Sequence, residues 1–262
     1  MKLNRIFAIV LRNMFSFRRN YDRWFDAFYW AIMDLFLWGL ATTYVTQISP
    51  EYAKFAIVIV SGITFWFIVT RSQYETNVAL LEDIWSRNML NIFISPLKFS
   101  EWIIGVLVIG VLKAILTFVV ALVVAFLLYK INILQAFGLW LPFFIVLLLM
   151  TGWWASFLIT SAILRFGSKI QTFAWTLVVL LAPFSGIYYP LSILPKWAQT
   201  VSMFLPTTYV FSSIRELITT GRFDINNLVF SFFLNIFYLT VAIFLLYRSY
   251  KKLLEKGMLQ LY

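Results

Sequence analysis

The side chains able to do chemistry in this chain are few, and the residue types it lacks narrow that chemistry sharply. There is no His and no Cys among its 262 residues. Thiol nucleophiles, disulfides, His-based metal sites and imidazole proton shuttles are thereby excluded, and no metal site is expected. Eleven carboxylates remain, and no two are placed to converge as an acid/base pair. That argues against a membrane enzyme acting on lipid-linked substrates. No G-x-x-x-x-G-K-[ST] phosphate loop occurs, because Gly167-Ser168-Lys169 lacks the preceding glycine and the strand-to-helix setting. The chain is expected to bind no nucleotide or other cofactor itself.

The remaining charges fall in informative places. Asp83 and Arg87 are spaced as an i,i+4 helical pair. Arg215 and Glu216 are adjacent in a segment that reads as a short helix, where a guanidinium can meet phosphate. Asp34 and Lys113 each interrupt a long apolar run, and a charge at that depth needs a partner or water. Asp34 either lines a path or serves as a packing contact between helices.

The elements that must position these residues are membrane helices. The chain is 62% hydrophobic and 12% charged, with mean hydropathy +0.88, which excludes a soluble domain. Six apolar runs are each compatible with a crossing: Phe25–Thr46, Phe55–Thr70, Trp102–Tyr129, Leu139–Leu164, Thr172–Tyr189 and Leu228–Tyr247. Of the 21 Lys and Arg residues, placing the N-terminus inside puts fifteen in cytoplasmic segments. Lys54, Lys130, Lys196, Arg215 and Arg222 then lie outside, and Lys113 lies within a span. Both termini are therefore expected in the cytoplasm. The net charge of +10 gathers at span ends, which fits anionic lipid and gives no reason to expect nucleic acid. Leu3, Ile6, Phe7, Val10, Met14 and Phe17 recur at helical spacing opposite Arg5, Arg12 and Arg18, predicting an amphipathic helix in the interface. No cleavable signal sequence is read in this region. Trp66, Trp153, Trp154 and Trp175 sit deep in the runs, where they either pack or line a path.

Two segments stand apart from plain spans. Arg71–Glu101 is the most polar stretch between runs and has helical character, with Ser95-Pro96 marking a helix boundary. Pro183–Tyr209 carries Pro183, Pro190, Pro195 and Pro206 immediately after an apolar run. Proline at membrane depth breaks the helix, and the freed backbone groups survive there only inside protein or beside water. The segment therefore reads as a span that turns back near the surface, the alternative being an ordinary proline-rich outer loop. Beyond Pro206, Thr207–Thr220 reads as a helix with Thr207 or Thr208 as N-cap and Gly221 as its stop.

These two segments resemble the ABC type 2 permeases, the membrane subunits of ATP-driven exporters. The re-entrant match rests on Gly186, Tyr189, Pro190, Leu191, Leu194, Pro195, Trp197, Leu205 and Pro206. The second rests on Glu82, Asp83, Arg87 and Leu90, then Ser95, Pro96 and Leu97, then Glu101 and Gly105, with Asn91 where many relatives carry Glu. The resemblance implies an all-α integral membrane fold over residues 1–262. It has six transmembrane helices, an interfacial helix over 1–23, a coupling segment over 71–101 and a re-entrant outer hairpin over 183–221 after the fifth span. It also implies a separate cytoplasmic ABC ATPase that brings ATP and magnesium, a second permease copy, membrane lipid, and a bacterial or archaeal inner membrane. Glu82 to Leu97 would couple to the ATPase, the hairpin with Arg215 and Glu216 would act as a gate, and Asp34 is a path candidate. The substrate class would be an amphiphilic, lipid-like or glycan molecule. An ATP-independent channel or scaffold is the alternative.

Overall fold

Prolines, glycines and capping side chains divide the chain into eleven α-helices in the computed structural model, which describes residues 1–49 and 53–256. No strand occurs among the described residues. Helix α1 spans Leu3–Arg19, and Asn20 ends it and caps α2, Tyr21–Ile48, by accepting from the backbone N–H of Asp22. Helix α3 covers Ala53–Trp85, followed by the short α4, Met89–Ile94. Helix α5, Phe99–Tyr129, starts where the Glu101 carboxylate accepts from the Lys98 N–H at 3.0 Å. After α6, Ile133–Phe137, helix α7 runs Leu141–Phe166 and stops at Gly167, φ +71°. Helix α8 is short, Phe173–Leu181, and continues as a single 3-10 turn, Ala182–Phe184. Then come α9, Lys196–Met203, α10, Pro206–Thr220, and α11, Ile225–Lys256.

Helix α3 forms the middle of the bundle, packed on α2, α5 and α7, with α11 on the far side of α7. Its most apolar stretch is 78% buried, against 22% for that of α11. Helices α3 and α7 cross closely because Gly152 has no Cβ. One built there would stand 1.8 Å from Ser72 Oγ and 2.9 Å from the Val69 carbonyl. Polar side chains join the helices where apolar packing alone gives no preference in lipid. Thr160 donates to Asn77 at 3.0 Å, Thr151 and Trp154 both donate to Asn235, and Ser161 meets Ser249 at 2.9 Å.

Four helical stretches are long and apolar enough to cross a membrane: Lys54–Trp85, Phe99–Tyr129, Ile133–Ile170 and Ile225–Glu255. They contain the second, third, fourth and sixth predicted runs. Helix α2 has the length, 28 residues, but Asp34, Thr42, Thr43, Thr46 and Gln47 dilute its hydropathy. The fifth run breaks at Phe184, so its apolar helix, Phe173–Phe184, is too short to cross alone.

Other boundaries differ from expectation for identifiable reasons. The polar stretch from Arg71 begins as a continuation of α3, with Arg71, Ser72, Gln73, Glu75, Thr76 and Asn77 all buried. Helix α10 begins one residue earlier than predicted, at Pro206, and Leu205 occupies the N-cap position. Thr207 and Thr208 instead lie in its first turn and reach back to Ser185 and the Phe184 carbonyl. Gly221, φ +74°, ends the helix as expected. Helix α1 is amphipathic as predicted, but Ile6, Ile9, Val10 and Phe17 lie buried within the protein. Leu3, Phe7, Met14 and Phe15 form a second, open apolar face.

Candidate functional site

Three features carry chemistry or shape that a bare bundle does not need. The first is the corner where α3, α4 and α5 meet under α1. Arg12 holds the Asp83 carboxylate with two hydrogen bonds, 3.1 and 2.9 Å. Trp102 Nε1 at 3.1 Å and Asn88 Nδ2 at 3.2 Å complete it, so this buried acid has its acceptor sites filled. Glu101, fully buried, accepts from the Lys2 backbone at 2.7 Å and pairs with Arg5, which also donates to the Pro96 carbonyl. Arg23 pairs with Glu82. Helix α1 is thus pinned to the corner by charge-assisted bonds.

The predicted Asp83–Arg87 helical pair does not form as spaced, because α3 ends at Trp85 and Arg87 adopts φ +55°. What the corner presents outward is Trp85, Ser86, Arg87, Asn91, Ile94 and Pro96, with Ile94 82% exposed. Ser95 closes α4, its Oγ accepting from the Leu97 N–H. Leu90 belongs to α4, but its side chain lies outside the described ones.

The second feature is a pair of adjoining hollows beside α2, α3 and α8, of about 300 and about 530 Å³. Asp26, Tyr74 and Trp175 line both. The smaller is lined by four acids, Asp22, Asp26, Glu75 and Glu82, and two bases, Arg23 and Lys113, most of them paired across helices. Arg71 pairs with Asp26 at 2.9 Å and lies 3.8 Å from Glu75, while Lys113 pairs with Glu75 and sits 4.5 Å from the Phe17 ring centre. Lys113 therefore finds its partner on α3, and Asp26 finds its own there too, in Arg71. The larger hollow is bordered by Trp30, Asp34, Trp66, Trp175 and Tyr188. Helix α8 is hung beside it by the stacked rings of Trp85 and Trp175, by Trp85 donating to Gln171, and by Gln73 donating to the Ala174 carbonyl. Asp34 thus borders a cavity. Of the deep tryptophans, Trp66 and Trp175 line it, whereas Trp154 is bonded in the core.

The third feature is the broken segment after α8. Gly186, φ +73°, takes a backbone conformation that residues with a Cβ rarely adopt. Its carbonyl accepts from Arg215 Nη2 at 2.8 Å, which ties the turn to α10. Ser185 meets Thr207 at 2.8 Å, and Tyr189 donates to the Pro183 carbonyl at 2.9 Å. Pro190 and Leu194 bracket one 3-10 turn, and Pro195 occupies the N-cap position of α9. Trp197 is exposed apart from an edge contact with Phe184. Ser231 donates to the Pro206 carbonyl, so α11 also secures the segment. Glu216 accepts from the Asp224 N–H at the far end of α10. Arg215 is thus a brace for the turn, a role the sequence signalled only as a charge near a proline cluster.

A protein-family model described as ABC-2 type transporter matches residues 5–219, from the first turn of α1 to the end of α10. A comparison with curated proteins finds no match.

Proposed function

We propose, for a chain that belongs to the ABC-2 type transporter family, that it is the permease of an ATP-driven exporter, one of two copies served by a separate cytoplasmic ATPase. Membership itself means a multi-pass membrane permease of an ABC transporter; direction, copy number and mechanism are our reading. In it α2 and α8 complete six spans, the turn at Ser185–Pro190 makes the hairpin re-entrant, and both termini face the cytoplasm. The crowding of Lys and Arg at the α1 end supports that orientation.

The α3–α4–α5 corner is the observation that carries the proposal. It is firmly braced from within and exposes Ile94 at its tip beside Ser86, Arg87 and Asn91, a surface that a partner can push against. ATP and magnesium act on the partner ATPase, and its closure pushes on Ile94 and the turn around Arg87. Helix α3 transmits the push. Its second half is tied to α2 through Glu82–Arg23 and Arg71–Asp26, and to α8 through the Trp85–Trp175 stack. Moving the tip therefore shifts α2 and α8 together, the two helices beside the larger hollow. Those helices also leave rings and aliphatic chains uncovered, among them Phe36, Leu37, Val179 and Leu180, where the second copy would pack.

Affinity purification from native membranes in mild detergent tests this. An ATPase is expected to co-elute with the chain, and Ile94→Asp is expected to lose it while the permease still elutes as a folded species. A crosslinked homo-oligomer with no ATPase would leave a channel or scaffold as the better account.

A further inference from the structure

The larger hollow has a chemistry of its own. Its titratable acids and bases are Asp26, Asp34, Arg71 and the phenols of Tyr74 and Tyr188. Asp26 and Arg71 cancel as an ion pair at 2.9 Å. Asp34 has no hydrogen bond or ion pair among the described residues, which makes it the one unpaired acid in the lining of this cavity. A carboxylate placed inside a span without a partner is costly unless something supplies the opposite charge.

Aromatic side chains from several elements line the same cavity. Trp30 comes from the preceding turn of α2, Trp66 from α3 and Trp175 from α8. Tyr188, from the broken segment, stacks on Trp38 at 4.9 Å, which fixes its ring beside α2. Aromatic faces carry negative electrostatic potential and attract cations, most strongly where water is excluded. A carboxylate in a cavity lined by indole and phenol rings disfavours anions and holds neutral apolar molecules without using its charge. About 530 Å³ is room for a small amphiphile.

We propose that the cavity between α2, α3 and α8 binds a hydrophobic organic cation, with the charge at Asp34 and the apolar body against Trp30, Trp66, Trp175 and Tyr188. That this cation is the transported substrate rests on the permease reading; that it binds here does not. The smaller polar hollow joins this site through Asp26, Tyr74 and Trp175 and leads toward the α1 end. It gives a charged molecule a polar approach before its apolar body reaches the rings.

Two probes of one shape and opposite charge, tetraphenylphosphonium and tetraphenylborate, test the site on the purified full chain in detergent by equilibrium dialysis. Saturable binding of the phosphonium is expected, with none of the borate. Asp34→Asn should weaken phosphonium binding at least about tenfold, the order expected for losing one charge pair in a partly dry site. Asp34→Glu should retain most of it. Trp175→Leu, which keeps an apolar side chain but removes the π face, should weaken it in a chain whose carboxylate is intact, so the proposal does not hang on one variant's folding. Equal binding of the two probes, or Asp34→Asn and Trp175→Leu chains that elute normally and bind as before, would overturn the site. Cation binding by a chain that brings down no ATPase would keep the site and remove the ATP-driven reading. An intact ATPase complex that binds no phosphonium would remove the site and leave the permease.

Discussion

Asp83 shows how one side chain serves the whole corner. The residue is 5% exposed, and its carboxylate accepts from Arg12, Asn88 and Trp102. Replacing it with Ala leaves the Trp102 indole N–H buried without its acceptor and a guanidinium without its counter-charge. The expected loss is about 3 kcal/mol, the lower end for breaking a buried pair. Arg12→Ala should cost less, about 2 kcal/mol, because Asn88 and Trp102 still donate to the carboxylate and water can enter the space that the 38% exposed Arg12 side chain leaves. Thermal unfolding of the purified chain in detergent measures both, and equal losses would show that Asp83 does not serve as the hub. The sequence suggested another partner for Asp83, four residues on, because local spacing is all that a sequence displays. The true partner is 71 residues away on α1. Pairs of this kind, Lys113 with Glu75 and Arg71 with Asp26 among them, follow from tertiary packing and leave no local periodicity.

Among the helices, α3 is where sequence and structure part most. Its second half reads as a polar linker because Arg71, Glu75, Glu82 and Asp83 interrupt the apolar run. Each of these charges is matched by one on α1, α2 or α5, so the helix continues into protein instead of ending at a membrane surface. The break after α8 was legible for the opposite reason. Proline and a left-handed glycine act through the local backbone and need no distant partner. The α3–α7 crossing gives a test at this scale. Gly152→Ala places a methyl within reach of Ser72 Oγ and the Val69 carbonyl, and overpacking of this kind costs about 1–3 kcal/mol. Ser72→Gly in the same chain should recover part of that loss, since it removes the nearer obstacle and leaves the carbonyl. A single variant that melts like the parent would mean that the two helices are free to separate.

For the molecule as a whole, the crossing count decides what reaches which side of the membrane. Helices α5 and α7 run in opposite senses, so they alone would return the chain to the side from which it entered. Ser86, before α5, and Ser192, after the break, lie on opposite sides only if the short α8 and its turns complete a third crossing. Gln47 and Asn4 pose the same question of α2, whose hydropathy falls short although its length suffices. The chain has no cysteine, so each of these exposed positions can carry the sole thiol in an otherwise native background. With a membrane-impermeant maleimide on intact cells, Gln47→Cys and Ser192→Cys should label, while Asn4→Cys and Ser86→Cys should label only after permeabilisation. The reverse pattern would invert the molecule and place the α4 tip out of reach of a cytoplasmic ATPase. Ser192→Cys behaving like Ser86→Cys would mean that α8 fails to complete a crossing. The bracing of Gly186 by Arg215 would then hold a plug on the cytoplasmic side. Such a plug would disconnect the Asp34 cavity from the opposite face, and with it the idea that α2 and α8 border a route through the membrane.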